Sequence, residues 1–241
     1  MLKKFKQLFF ERWFPHWSPD AALRYLPIVK LIRSDPRLKT VLDVGSGTLG
    51  ITPYLKRRVV GVDVGFVGPQ SSLLSQVKGT ADKLPFAERT FDVVLCVDVL
   101  EHLPKTKRSQ VICELLRVAR KKVFIVVPCS SVARNEDLYF YHYFKRVMGK
   151  NDPFLKEHLK YGLPEVEEMV SLIPSQYQVT ALGNVSLWLH RLVLLVQFSN
   201  YKLMHFISSV VFILFLPIFS LINFPPTYRT LFIIDKEKGL G

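Results

Sequence analysis

Residues 40–50 read TVLDVGSGTLG, and the reading of this stretch decides the fold. Residues 40–44 are apolar at three of five places and short, as suits a buried strand. Gly45, Gly47 and Gly50 follow with the G-x-G-x-x-G spacing that lets backbone approach a ligand closely between a strand and a helix. A helix is expected over residues 49–57. At 241 residues the chain is long enough to bury a full core around such a unit.

Outward from the glycine turn the pattern repeats. VVGVD (59–63) is a second strand ending on Asp63, and a weak third lies near 76–78. VVLCV (93–97) and VFIVV (123–127) are the fourth and fifth, with a helix carrying Val111, Leu115 and Val118 between them. Apolar runs of about five residues separated by helices predict a parallel sheet covered on both faces. PEVEEMVSLI (164–173) predicts a helix with Pro164 in its first turn. YQVTALGNV (177–185) and TLFIID (230–235) read as the sixth and seventh strands. The expected fold is α/β: a Rossmann-like, doubly wound, mostly parallel seven-stranded sheet. Its last strand is antiparallel and follows a hydrophobic helical insertion.

The glycines alone would fit a dinucleotide, with Asp63 on the ribose. Asp43 argues otherwise. It stands two residues before the first glycine, where a pyrophosphate would meet a like charge at reduced dielectric. S-adenosylmethionine has no phosphate and carries a sulfonium and an ammonium, which a carboxylate favours.

VLDVGSGTLGI (41–51), VVGVDV (59–64) and GTADKLPFAERTFDVVLCVDVLEHLP (79–104) resemble, in order and spacing, the motifs of class I S-adenosylmethionine-dependent methyltransferases, most nearly the type 11 branch. The resemblance spans residues 40–128. It implies that Asp43 and the turn Gly45, Ser46 and Gly47 hold the methionine part of S-adenosylmethionine. Asp63 would bind the ribose hydroxyls, Ala81 and Asp82 the adenine edge, and Asp98 would face the methionine amine or the acceptor. The chain departs from the family in having Leu49 where many members have a third glycine, with Gly50 one place later.

The readings without a ligand are a plain tight turn for the glycines, a loop carboxylate for Asp82 and a helix cap for Asp98. Methyl transfer from a sulfonium needs mainly an aligned acceptor and exclusion of water. If the acceptor must lose a proton, His102 is the candidate base, with His142 and His158 behind it. Glu101 and His102 could instead fix a loop by hydrogen bonds. The aromatic segment 137–162 falls where the family builds its acceptor pocket, or is a packed cover. EHLKYGLPEVEEM (157–169) is similar to methyltransferases of surface-glycan gene clusters.

The formal net charge of +13 suggests an anionic partner, a membrane surface or nucleic acid, or a basic surface that only aids solubility. Leu2, Phe5, Phe9 and Trp13 share one face of an expected basic amphipathic helix that rests on a membrane or packs on its own domain. Residues 203–222 hold no Lys, Arg, Asp or Glu and are interrupted by Pro217. They match the length of a membrane span, but the following strand must rejoin the sheet. A re-entrant or interfacial hairpin turning near Asn200 and Lys202, or a packed helix pair, fits better. Cys96, Cys113 and Cys129 lie singly in apolar runs and read as buried thiols in a reducing compartment. No CxxC or HExxH spacing is present, so no metal is expected.

The expected divisions are 1–39, a basic helix and cap; 40–185, the cofactor-binding core; 186–226, the apolar insertion; and 227–241, the last strand and tail. The expected protein is a cytoplasmic enzyme, peripheral at the membrane. It would methylate a small-molecule, glycan or lipid-linked acceptor. Alternatives are an RNA methyltransferase, although no RNA-binding module is appended and nucleic acid is not an expected partner, or a non-catalytic binding protein retaining the cofactor fold.

Overall fold

The computed structural model describes residues 17–149, 151–197 and 224–237. The expected basic helix at residues 1–14 and the apolar run 203–222 lie outside these residues. Among the described residues no helix is long and apolar enough to cross a membrane.

The described chain opens on helix α1 (Pro19–Ser34), capped by Ser18, whose side chain accepts from Ala21 N–H. Pro19 stands in its first turn, where the missing N–H costs nothing. Strand β1 (Val41–Val44) follows, then the glycine turn and α2 (Thr52–Leu55). This helix is shorter than the expected 49–57. Lys56 adopts the left-handed conformation (φ 58°) and returns its N–H to Thr52 O, which ends the helix. Strands β2 (Val59–Asp63), β3 (Leu74–Lys78) and β4 (Phe91–Val97) come next, then a 3₁₀ turn (Leu100–His102). Helix α3 (Lys105–Val118) leads into β5 (Ala119–Pro128), which is followed by α4 (Ser130–Met148), α5 (Pro153–Tyr161) and α6 (Val166–Ser171). The described chain ends with β6 (Gln178–Ser186), α7 (Leu187–Gln197) and β7 (Thr227–Asp235). Pro164, expected in the first turn of α6, lies before it. Its carbonyl accepts from Ser130 N–H at 3.1 Å, and the helix is capped at Glu165.

The sheet runs β3-β2-β1-β4-β5-β7-β6. Strands β1 to β5 pair in parallel, and β7 inserts antiparallel between β5 and β6. The predicted doubly wound sheet with a reversed last strand is what forms. Alternate residues of β4 feed opposite faces: Val93, Leu95 and Val97 join α1 and α7, whereas Val94 and Cys96 join α3 and α6. Ala22, Ile28, Val29 and Ile32 of α1 are buried on the first face, so this helix shares the core of the sheet. On α3, Val111, Ile112 and Leu115 point inward and Cys113 is exposed. The expectation of three buried thiols is corrected here: a helix turns 100° per residue, so an apolar run does not bury every member.

The strand order reverses between β1 and β4. Their carboxyl ends diverge there and leave a crevice, the place where open α/β sheets take ligands.

Candidate active site

A cavity of about 590 Å³ occupies that crevice. Its wall includes Val44 and Gly45 after β1, Asp63 at the end of β2, Thr80 to Asp82 after β3, and Asp98, Val99 and His102 after β4. Phe154 and Glu157 of α5 close it from outside the sheet. Its size is that of a small-molecule site.

The glycine turn is built by close approach. Gly45 has φ 76°, and a Cβ there would overlap Val99 Cγ2. Gly50 has φ 50°, and its Cβ would overlap the Asp43 carboxylate. The displaced third glycine thus has its own reason: it makes room for Asp43. That carboxylate is fully buried beneath the turn, and its Oδ2 accepts from Ile51 N–H at 2.8 Å. Burial, against the pull of that N–H, pushes its pKa up to about 7. Asp43 therefore shapes the turn from below and does not line the cavity. Ser46 is buried beside it, its hydroxyl donating to Gly47 O at 2.9 Å.

Asp63 does face the cavity. Its Oδ2 accepts from Gly47 N–H at 2.8 Å and its Oδ1 from Gly65 N–H at 3.1 Å, so the carboxylate also clamps the turn. Each oxygen retains a lone pair for a ligand. Ala81 and Asp82 stand on the same side of the cavity. Asp82 pairs with Lys107 Nζ at 3.0 Å, which with Thr80 holds its pKa below the usual range. Lys107 is the sole Lys or Arg on the described cavity wall, and it is spent on this pair.

Asp98 borders the cavity but differs from expectation in what holds it. It adopts φ 51°, and its carboxylate is gripped by Arg229 Nε and Nη2 at 2.8–3.0 Å and by Arg24 Nη1 at 2.5 Å. Burial alone would raise its pKa; the two guanidiniums overcome it and hold the carboxyl well below the usual range. A charge so neutralised is a poor partner for a ligand ammonium. Asp20 completes the network, 3.0 Å from Arg24 and 3.4 Å from Arg229. Neither arginine was singled out from the sequence, being 74 and 131 residues from Asp98.

His102 lines the cavity. Its Nδ1 lies 2.9 Å from Glu157 Oε2, and its Nε2 lies 3.4 Å from His158 Nε2. Burial and the neighbouring His158 lower its pKa, so the ring is neutral near pH 7. His158 Nδ1 lies 2.8 Å from Asp137 Oδ2, and Tyr228 donates to the other Asp137 oxygen at 2.5 Å. The expected second-choice base His158 thus joins His102, whereas His142 lies elsewhere, in a surface hollow with Tyr139 and Arg146. Glu101 is fully buried, and neither carboxylate oxygen has a hydrogen-bond partner on another residue. It does not fix the loop by hydrogen bonds, and burial pushes its pKa up to about 8.

Residues 42–127, which carry β1 to β5 and the described wall as far as Lys107, match the family model described as a methyltransferase domain. Over these residues the chain is similar to type 11 methyltransferase domains. The chain is 35% identical over 136 residues to the ubiquinone biosynthesis O-methyltransferase of Hahella chejuensis, a match covering 49% of this chain and 56% of that protein. An uncharacterized protein of Methanocaldococcus jannaschii is 33% identical over 69 residues, covering 29% of this chain and 31% of its own length. The chain therefore spans about a third and just over half of these two relatives. In fold, the chain superposes on a SAM-dependent methyltransferase from Thermotoga maritima with TM-score 0.51 at 15% identity, covering 98% of this chain and 100% of that one. Magnesium protoporphyrin IX methyltransferase from Synechocystis, with bound SAH, gives TM-score 0.53 at 12% identity, covering 89% and 83%. At these identities the likeness is one of fold.

Proposed function

We propose that the chain transfers the methyl group of S-adenosylmethionine to a small-molecule, glycan or lipid-linked acceptor. One observation carries the reading: the helix-head N–H and the lysine of the described cavity wall that could receive a pyrophosphate are already committed. Ile51 N–H, at the head of α2, is bonded to Asp43, and Lys107 is bonded to Asp82. The cavity left to a ligand is walled by Asp63, whose carboxylate is held by the N–H groups of Gly47 and Gly65, and this suits a cationic, phosphate-free nucleoside.

On this reading Asp63 takes the ribose hydroxyls, and the loop at Ala81 and Asp82 takes the adenine. The turn Gly45, Ser46 and Gly47, with Asp43 under it, seats the methionine part, and Asp98 sets the cavity floor through its arginines. The S–CH₃ bond breaks as the acceptor's lone pair forms the new bond, and the sulfonium leaves as a neutral thioether. An acceptor hydroxyl also sheds a proton, which neutral His102 is placed to accept. The relative that acts in ubiquinone biosynthesis is an O-methyltransferase of a small molecule, in keeping with such an acceptor. The membrane face rests on the net charge of +13 and the apolar run 203–222.

Incubation with methyl-labelled S-adenosylmethionine and two cell extracts, one water-soluble and one membrane, tests the acceptor. Label is expected in a small or lipid-linked product of the membrane extract. Label in RNA, or in neither extract, would refute it.

A further inference from the structure

We infer that Glu101, His102 and His158 form a binding site for a divalent transition-metal ion beside the cavity. The carboxylates of Glu157 and Asp137 can only accept hydrogen bonds when ionised, so the Nδ1 atoms they meet at 2.9 and 2.8 Å carry the protons. In their neutral forms both imidazoles are thereby fixed in one tautomer, each with its lone pair on Nε2; against burial, the Asp137 carboxylate raises the pKa of His158, whose charged form carries a second proton on Nε2. Those two Nε2 atoms face each other at 3.4 Å. Such a contact is bridged either by a proton on His158 Nε2 or, with both rings neutral, by a cation that both lone pairs bind.

The spacing fits an ion. Two Zn–N bonds of about 2.0–2.1 Å at a tetrahedral angle place their nitrogens about 3.4 Å apart. Glu101 supplies the third ligand: it is fully buried, its oxygens lack partners on other residues, and the three ligand atoms lie within 4.8 Å of one another. Its two buried oxygens have no partner to release before they ligate an ion, which would displace the carboxyl proton. The outer partners match too, since metal-bound histidines commonly give their other N–H to a carboxylate. Here Tyr228 in turn fixes Asp137. Three protein ligands from His and Glu leave a coordination position for a further group, and His102 puts the site at the cavity wall. The ligands come from the turn after β4 and from α5, 56 residues apart between the histidines, so no short spacing motif announces them. Resting on the methyl-transfer reading, an ion here would use the His102 lone pair that a base would need. It would then hold an acceptor hydroxyl and make it more acidic itself.

The test is metal binding, read apart from catalysis. The full chain, stripped with a chelator, is titrated with Zn²⁺ and with Mn²⁺ by calorimetry, and its melting temperature is followed. One ion per chain and a rise in melting temperature are expected. His158→Gln and Glu101→Gln should weaken binding at least a hundredfold. Glu157→Ala alters a half-exposed side chain, and should weaken it about tenfold. Binding of S-adenosylhomocysteine, measured on the same samples, reports separately on the cofactor reading and on folding. Absence of binding to the wild-type chain, or binding unchanged in Glu157→Ala and His158→Gln, would overturn the site and leave a shared proton between the rings.

Discussion

Asp63→Ala is expected to weaken S-adenosylhomocysteine binding at least tenfold, by calorimetry, while the protein still melts cooperatively. On the proposed reading two charge-assisted hydrogen bonds to the ribose are lost, each of about 1.5–3 kcal/mol. The same change frees Gly47 and Gly65 N–H from the carboxylate, so the turn that shapes the cavity loses its clamp. Asp63→Asn keeps one acceptor oxygen and the side-chain volume, and should fall between the two. An unchanged affinity in Asp63→Ala would remove this residue from the site.

Asp98→Asn is expected to cost about 3 kcal/mol of stability in denaturant unfolding at pH 7. Breaking a buried charge pair by removing one partner typically costs about 3–5 kcal/mol, because the remaining charge is left buried. The lower end applies because Asp20 still contacts both Arg24 and Arg229. The network joins the first turn of α1, the end of β4 and the start of β7, so the loss falls on the whole fold. The pH dependence follows from the sign of the shift. Asp98 is held below its unfolded pKa of about 3.9, so its contribution is complete above that value and fades as pH falls through the folded one. The difference between wild type and variant should therefore be constant from pH 7 to 5 and shrink in stronger acid. A loss under 1 kcal/mol at pH 7 would show that the arginines are satisfied without it.

The two predictions differ in how far the sequence reaches them. Asp63, at the end of β2, and Ala81 and Asp82, in the turn after β3, were legible as cavity residues because each lies in a motif contiguous along the chain. The sheet was legible for a similar reason, since strands buried on both faces leave runs such as VVLCV and VFIVV with no polar break. The helices bordering the site were less so. α2 stops after a single turn because Lys56 goes left-handed, and residues 19–34 were hidden by Pro27 inside the helix and by the basic residues around it. What the sequence did not disclose is what neutralises or completes a charge across the fold. The expected openness of Asp98 toward an ammonium ignored Arg24 and Arg229. The view of Glu101 and His102 as loop fixtures likewise lacked His158 and the carboxylates behind it. Partners brought together from separate elements have no period and no fixed spacing.

The central claim is that the crevice between β1 and β4 takes S-adenosylmethionine and not a dinucleotide. Titration of the full chain with S-adenosylhomocysteine and, separately, with NAD tests it most directly. A single saturable site for S-adenosylhomocysteine, with a rise in melting temperature as mass action requires and no heat or competition from NAD, is the predicted result. Saturable binding of NAD with none of S-adenosylhomocysteine would contradict it.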